Sequence, residues 1–177
     1  MTKNKVKSAI NNSIAEILQL LNLSVNEQTI SGVITKYLIP LFEFDEITVD
    51  PEYNRHLGTV KTMSLKEYVE KHRNNIYERK FFDCACRYCK KIKSDREYKD
   101  TKRSKKPDIV IHKRNSDDKN NVIIEIKKNK KCLWDYFKLR YMTSPNGMYR
   151  YKLGVFIYFP HNKPKYTWFI NGLEKKL

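Results

Sequence analysis

The chain has 177 residues, 40% of them hydrophobic and 12% aromatic, and 36 Lys and Arg outnumber 20 Asp and Glu to give a formal net charge of +16. This composition predicts a single folded domain over residues 1–177 and excludes a disordered basic tail, which would be poor in aromatic residues. Five glycines, without a GxGxxG or P-loop motif, exclude nucleotide-dependent motors and dinucleotide enzymes. No apolar run is long enough to span a membrane and no signal peptide is recognisable, so we expect a cytoplasmic protein that does not bind membranes.

Helical spacing of apolar residues predicts an N-terminal helical extension over residues 1–23. A second helix is expected to start at a capping box formed by Ser24 and Glu27 and to stop at Pro40. Residues 47–53 are predicted to form a strand that is interrupted or bulged at Pro51. A further helix is expected from Ser64 to about residue 80, within a basic insertion that covers residues 57–106.

Two segments carry the whole positive excess. Residues 71–106 contain 14 Lys and Arg against 5 acidic residues, and residues 127–152 contain 8 against 1. Both segments are interleaved with aromatic residues, and a localised positive surface on a folded domain is typical of a protein with a polyanionic partner. We therefore expect a nucleic acid, most simply DNA, as the partner; the alternative is a surface that only aids solubility.

Three cysteines lie close together within the insertion, at Cys84, Cys86 and Cys89. In a reducing compartment they could supply three ligands of a structural Zn²⁺, with Cys132, His72 or His112 as the fourth. Zinc sites usually use two separated pairs of ligands, however, and this sequence has one triplet. The sequence therefore favours free thiols, and zinc is the alternative.

The C-terminal half alternates strands and a helix. Strands are predicted at 108–113 and 121–127, joined as a hairpin by a polar turn at 115–120. A helix is predicted at 132–143, a nearly continuous apolar strand at 151–159 and a last strand at 165–170. The element order predicts an α/β fold rather than a helical bundle or a β-sandwich.

The predicted hairpin also carries the strongest chemical signal, which is Asp108 followed by Glu125 and Lys127. Glu125 and Lys127 are two positions apart on a strand, so their side chains leave the same face. The rest of that strand is apolar, and a carboxylate and an ammonium buried there need partners. Asp108, at the start of the neighbouring strand, can reach the same point. Two carboxylates beside a lysine predict a site for Mg²⁺ or Mn²⁺ that could act on a phosphodiester.

Pro107, Asp108, Glu125 and Lys127, on a hairpin followed by a helix and a strand, resemble the motif of the PD-(D/E)XK nuclease superfamily. Residues 49–56, 107–114, 120–128 and 138–159 are similar to a group of uncharacterised bacterial proteins of this fold. The resemblance covers roughly residues 24–160. It implies a restriction-endonuclease-like αβββαβ core with a mixed central sheet, to which the N-terminal helix and the basic cysteine-containing insertion are added.

The resemblance also implies site roles. Asp108 and Glu125 would bind the metal ion, Lys127 would position the attacking water, and Glu27 on the first core helix would complete the metal site. Glu52 is a rival third carboxylate, with an ion pair to Arg55 as its alternative role. Arg55, Lys128, Lys130 and Lys131 are the candidates for contacts with backbone phosphates.

The sequence therefore predicts a Mg²⁺-dependent deoxyribonuclease, an endonuclease without a visible element for reading a defined base sequence. A non-catalytic nucleic-acid-binding module of the same fold and an RNA-directed nuclease are the alternatives. The oligomeric state is left open, and a homodimer is compatible with the sequence.

Overall fold

The computed structural model describes residues 2–23, 25–43, 46–52, 106–128, 132–160 and 163–175, and the backbone of four short strand segments at 55–56, 59–60, 62–63 and 103–104. The predicted helix at 64–80 and the cysteine triplet at Cys84, Cys86 and Cys89 lie outside the described residues, as do Lys130 and Lys131. Of Arg55 only the backbone is described.

The described part of the chain contains three helices: α1 (Thr2–Asn22), α2 (Glu27–Phe42) and α3 (Leu133–Met142). Its strands are β1 (Thr48–Pro51), β2 (Arg55–His56), β3 (Thr59–Val60), β4 (Thr62–Met63), β5 (Arg103–Ser104), β6 (Ile109–His112), β7 (Val122–Lys127), β8 (Leu153–Tyr158), β9 (Lys165–Ile170) and β10 (Leu173–Lys175). None of the described helices is both long and apolar enough to cross a membrane.

Six strands form one mixed sheet in the order β1-β6-β7-β8-β9-β10. The β7–β8 pair is parallel and every other neighbouring pair is antiparallel. Two small ladders, β2–β3 and β4–β5, are separate from this sheet. The predicted β6–β7 hairpin is observed, with Ile109 opposite Ile124 and Ile111 opposite Val122. The predicted α/β class with a mixed central sheet is therefore confirmed.

Helices cover both faces of the sheet. Ile124 and Ile126 of β7 belong to an apolar cluster that also contains buried residues of α1 and α2. Ile123, on the opposite face of β7, packs with Tyr136 and Leu139 of α3 in a second cluster. Because both faces of β7 are covered, its run of apolar residues is nearly continuous instead of alternating with polar residues. The charged residue in the middle of β7, Glu125, is consequently buried.

The N-terminus of α2 differs from the prediction. Asn26, not Ser24, is the N-cap residue, and its side-chain oxygen accepts hydrogen bonds from Thr29 N (2.9 Å) and Thr29 Oγ1 (3.0 Å). The predicted capping box is therefore wrong. Glu27 is the first residue of the helix, and its side chain does not cap it. The predicted end of this helix at Pro40 is also wrong, because α2 continues for two more residues to Phe42. Proline removes only its own N–H. The last turn ends with a hydrogen bond from Glu43 N to Ile39 O.

The strand β10 at the edge of the sheet was not predicted. Asn171 and Gly172 connect it to β9, with φ values of 52° and 72°. Positive φ at both central residues is the requirement of a type I′ hairpin turn, which Asn-Gly meets best. The dipeptide was thus a readable hairpin signal in the sequence.

Candidate metal and catalytic site

Asp108 lies at the start of β6 and is held from three directions. Its backbone carbonyl accepts hydrogen bonds from Ser31 Oγ of α2 and from Glu52 N, each 2.9 Å long. Its carboxylate Oδ2 accepts from Ile126 N at 2.6 Å. The acid is therefore anchored to the β7 backbone between Glu125 and Lys127, the position that the sequence motif predicts for it. Burial raises the pKa of Asp108 above its usual range, although the Ile126 N–H opposes this.

Glu125 is almost completely buried, with 1% of its side chain exposed. Its Oε2 accepts a hydrogen bond from Lys138 Nζ at 2.6 Å, while its Oε1 has no hydrogen-bond partner in the described part of the chain. Burial raises the pKa of Glu125 well above its usual range; the Lys138 ammonium opposes this, and the nearby Asp108 and Asp135 add to it. A buried carboxylate oxygen without a partner is costly and marks a place where a ligand could bind.

Lys127 lies at the end of β7, among carboxylates from two helices. Its Nζ donates to Glu27 Oε2 at 2.7 Å and to Ile126 O at 3.0 Å, and it lies 3.6 Å from Asp135 Oδ2. Burial by itself lowers the pKa of Lys127, but Asp135, Glu27 and Asp108 together raise it above the usual value. Lys127 is therefore a charged hydrogen-bond donor within the site.

Two charged residues of α3, Asp135 and Lys138, were missed by the sequence reasoning. They are three positions apart on the helix and both are buried. Lys138 Nζ lies 3.5 Å from Asp135 Oδ1 and also donates to Glu125. Burial by itself lowers the pKa of Lys138, but Glu125, Asp135 and Asp108 raise it above the usual value. The sequence did contain one sign of this burial. Apolar and aromatic residues lie all around α3, which indicates a helix buried on most sides.

Glu27 and Glu52, the two candidates for a third carboxylate, have different surroundings. Glu27 accepts from Lys127 Nζ at Oε2 and from Lys128 N at Oε1 (3.2 Å), so it faces the end of the motif strand. Glu52 accepts from Gln28 Nε2 at 2.6 Å and from Lys106 Nζ. Both hydrogen bonds lower the pKa of Glu52, and the one from Lys106 has the larger effect. The structure thus places Glu27, but not the carboxylate of Glu52, in contact with the motif lysine.

Of the four residues predicted to contact nucleic acid, Lys128 is the one whose side chain is described. Its Nζ donates to Val25 O at 3.3 Å, and its backbone N–H bonds Glu27 as above. The loop after β7 is therefore tied to the start of α2. Cys132, considered as a fourth zinc ligand, is buried at the N-cap position of α3.

The charges of the site favour a divalent cation. Four carboxylates (Glu27, Asp108, Glu125 and Asp135) surround two ammonium groups (Lys127 and Lys138), which leaves two negative charges uncompensated among these six side chains when all are ionised. Oxygen ligands suit Mg²⁺ and Mn²⁺, and the unpartnered Glu125 Oε1 is such a ligand. Within the described ranges, no three His, Cys, Asp or Glu side chains form a ready metal-binding group. Mg²⁺ usually takes one or two carboxylates and keeps several waters, so Asp108 and Glu125 fit it without a third direct ligand.

A second buried charge cluster, which the sequence reasoning also missed, joins β1 to β6. Asp50 Oδ2 lies 3.0 Å from His112 Nε2 and accepts from Arg114 Nε at 2.9 Å and from Thr48 Oγ1 at 3.1 Å. Burial by itself raises the pKa of Asp50, but the hydrogen bonds from His112, Arg114 and Thr48 outweigh it, and the net pKa is well below the usual range. His112, considered as a zinc ligand, therefore pairs with a carboxylate.

This cluster predicts a pH-dependent contribution to stability. A carboxyl group whose pKa is lower in the folded than in the unfolded state stabilises the fold above its unfolded pKa of about 4, and this stabilisation is lost as the pH falls toward the folded value. We expect Asp50→Asn to lower the free energy of unfolding at pH 7 and to flatten its decline between about pH 5 and 2. Urea unfolding followed by circular dichroism measures both, with the exposed Asp118→Asn as the matched control. Parallel curves for Asp50→Asn and the unsubstituted protein would contradict the role of this pair.

Comparison with known proteins yields no relative from which a function could be transferred. No family model matches the chain, and no curated protein and no solved structure is similar to it. The basis for a function is therefore the geometry of the site itself.

Proposed function

We propose that this protein is a Mg²⁺- or Mn²⁺-dependent endonuclease that hydrolyses DNA phosphodiester bonds. The observation that carries the proposal is the convergence of Asp108, Glu125 and Lys127 at one end of the β6–β7 hairpin. There the Asp108 carboxylate accepts from the backbone of the motif strand, and Glu125 keeps one buried oxygen without a hydrogen bond. An unsatisfied buried acceptor destabilises a fold, so a ligand at this oxygen would offset a cost that the ion pair with Lys138 alone does not.

The arrangement of the elements supports a restriction-endonuclease-like core. The chain runs α2, β1, β6, β7, α3, β8 through a mixed sheet with helices on both faces, which agrees with the αβββαβ order that the sequence motif implies. The helix α3 connects the parallel strands β7 and β8 and brings its charged residues over the motif. The site therefore lies where two helices and a hairpin meet.

In this proposal Asp108 and Glu125 hold the metal ion. When bound, the ion would polarise the scissile phosphate and stabilise the charge that develops on it. Lys127 donates a hydrogen bond to the attacking water, and Glu27 holds the Lys127 ammonium at 2.7 Å, so Glu27 is a positioning residue. Glu52 is bound to Gln28 and Lys106 and lies at the edge of this arrangement.

The substrate side of the proposal depends on charge. A net charge of +16 is far more than solubility requires of a domain of this size. Lys128 directly follows the motif strand, and Lys130, Lys131 and Arg55 are assigned with it to the DNA backbone by their sequence positions. Such contacts are independent of base sequence, so we propose an enzyme without strict sequence specificity.

Cleavage of supercoiled plasmid DNA tests the proposal. With Mg²⁺ or Mn²⁺ we expect nicked and then linear products, and excess EDTA should abolish them. Linear duplex DNA, single-stranded RNA and double-stranded RNA are the parallel substrates. Cleavage of RNA alone would identify an RNA-directed nuclease. Salt-dependent DNA binding without cleavage under any divalent ion would contradict the enzyme and favour a non-catalytic binding module.

A further inference from the structure

Glu125 and Asp135 each have one carboxylate oxygen close to Lys138 and one oxygen away from it. Lys138 Nζ contacts one oxygen of each acid, Glu125 Oε2 at 2.6 Å and Asp135 Oδ1 at 3.5 Å. The remaining oxygens, Glu125 Oε1 and Asp135 Oδ2, are buried and accept no hydrogen bond from any residue that the structure describes. Lys138 therefore hydrogen-bonds one oxygen of Glu125 and lies near one oxygen of Asp135, and the other oxygen of each acid is available.

Among the residues that the structure describes, no donor satisfies these two oxygens. An unsatisfied acceptor in a protein interior costs about 1–3 kcal/mol, and more for a charged group. Lys127 Nζ lies 3.6 Å from Asp135 Oδ2, which is beyond hydrogen-bonding distance. Asp108, Glu125 and Asp135 also repel one another electrostatically. A hydrated cation would satisfy both oxygens and relieve this repulsion.

In the two glutamates that the sequence predicts as the third carboxylate, each oxygen already accepts a hydrogen bond. Both oxygens of Glu27 accept hydrogen bonds, from Lys127 and from the Lys128 backbone. Both oxygens of Glu52 do so as well, from Gln28 and Lys106. Asp135 thus differs from both in having a buried oxygen without a hydrogen bond next to Glu125.

We propose that Asp135 is the third acidic residue of the cation site, where its Oδ2 accepts hydrogen bonds from waters of the ion held by Asp108 and Glu125. Lys138 is the positioning residue that orients Asp135 and Glu125 together. Contact through water agrees with the lack of a group of three direct ligands in the described residues and with the waters that Mg²⁺ keeps. This inference rests on the proposed metal-dependent function and names a residue of that same site.

Calorimetric titration with Mn²⁺ in the absence of DNA tests the assignment without relying on activity. We expect Asp135→Asn, which preserves shape and removes the charge, to weaken Mn²⁺ binding about 10- to 100-fold, the usual effect of removing an outer-shell partner. Asp118→Asn makes the same substitution in the exposed turn of the hairpin and should bind Mn²⁺ like the unsubstituted protein. Equal Mn²⁺ affinity of Asp135→Asn and Asp118→Asn would overturn the assignment.

A measurement on the unsubstituted protein covers the case in which Asp135→Asn does not fold. Fe²⁺ bound in place of Mg²⁺, with ascorbate and peroxide, cuts the backbone near the ion, and mass spectrometry locates the cuts. We expect cuts near residues 108 and 125 and also at 132–136. Cuts near 108 and 125 alone would overturn the role of Asp135 but leave the proposed function standing. Absence of any divalent-ion binding by the unsubstituted protein would overturn both.

Discussion

Replacing Lys127 with methionine is expected to reduce DNA cleavage by about 10³-fold or more, since a group that acts together with the metal ligands in the transition state has no substitute in the site. Of the two lysines that pair with the site's carboxylates in the described residues, Lys127 is the more exposed, with 23% of its side chain exposed against 8% for Lys138. Methionine keeps the length of the side chain and removes the charge. DNA binding should fall by no more than a few-fold, because one lost phosphate contact changes affinity little.

The measurement is the initial rate of plasmid nicking, together with DNA and Mn²⁺ binding of the same preparation. Lys36→Met is the matched control, because Lys36 lies on α2, is 66% exposed and pairs with Glu16. This control should cleave at the unsubstituted rate. If Lys127→Met were to cleave as fast as Lys36→Met, Lys127 would have no part in the reaction.

Replacing Lys138 with methionine is expected to lower the free energy of unfolding by about 3–5 kcal/mol, the cost of leaving a buried charge without its partner. The Lys138 and Glu125 side chains are 8% and 1% exposed, so water cannot take the place of the lost ammonium. The loss should be visible in urea unfolding with EDTA present, where no metal ion can compensate for the missing charge.

A double substitution distinguishes an ion-pair effect from lost packing. Glu125→Leu combined with Lys138→Met replaces both charges by apolar groups of similar size, and such replacements are often neutral or stabilising. We expect the double variant to recover part of the stability that Lys138→Met loses, since the buried Asp135, 3.5 Å from Lys138, still lacks that ammonium. A double variant less stable than Lys138→Met would show that packing, not the unpaired Glu125 charge, accounts for the loss.

Local sequence is sufficient for the β6–β7 hairpin and the motif on it. Two apolar runs flank a polar turn, and the alternation of side chains along a strand places Glu125 and Lys127 on one face. The apolar run of β7 also indicates that both of its faces are covered. These properties depend on residues a few positions apart, so local rules decide them.

Local rules do not decide between two good alternatives. Ser24 and Asn26 are both favourable N-cap residues, and the capping-box pattern favours Ser24. The structure uses Asn26, which leaves the Glu27 carboxylate to pair with Lys127, 100 residues away in the chain. That pairing depends on the packing of α2 against the sheet, and no local pattern contains it.

The buried charged residues of α3 are a second case that local sequence patterns do not decide. The apolar surroundings indicate that α3 is buried, but nothing in the sequence indicates that Lys138 pairs with Glu125 and Asp135, because charged residues on a helix normally face solvent. Asp50 likewise finds its partners at the end of β6, in His112, and in the turn that follows, in Arg114, which are 62 and 64 positions further along the chain.

The sequence by itself determined the α/β class, the hairpin and the motif Asp108, Glu125 and Lys127, because each of these is expressed in the spacing of neighbouring residues. Only the tertiary structure decided which other acids and lysines surround that motif. The physical reason is that a buried charge is tolerated only where another element brings it a partner, and the docking of α2 and α3 against the sheet is what brings Glu27, Asp135 and Lys138 to the site.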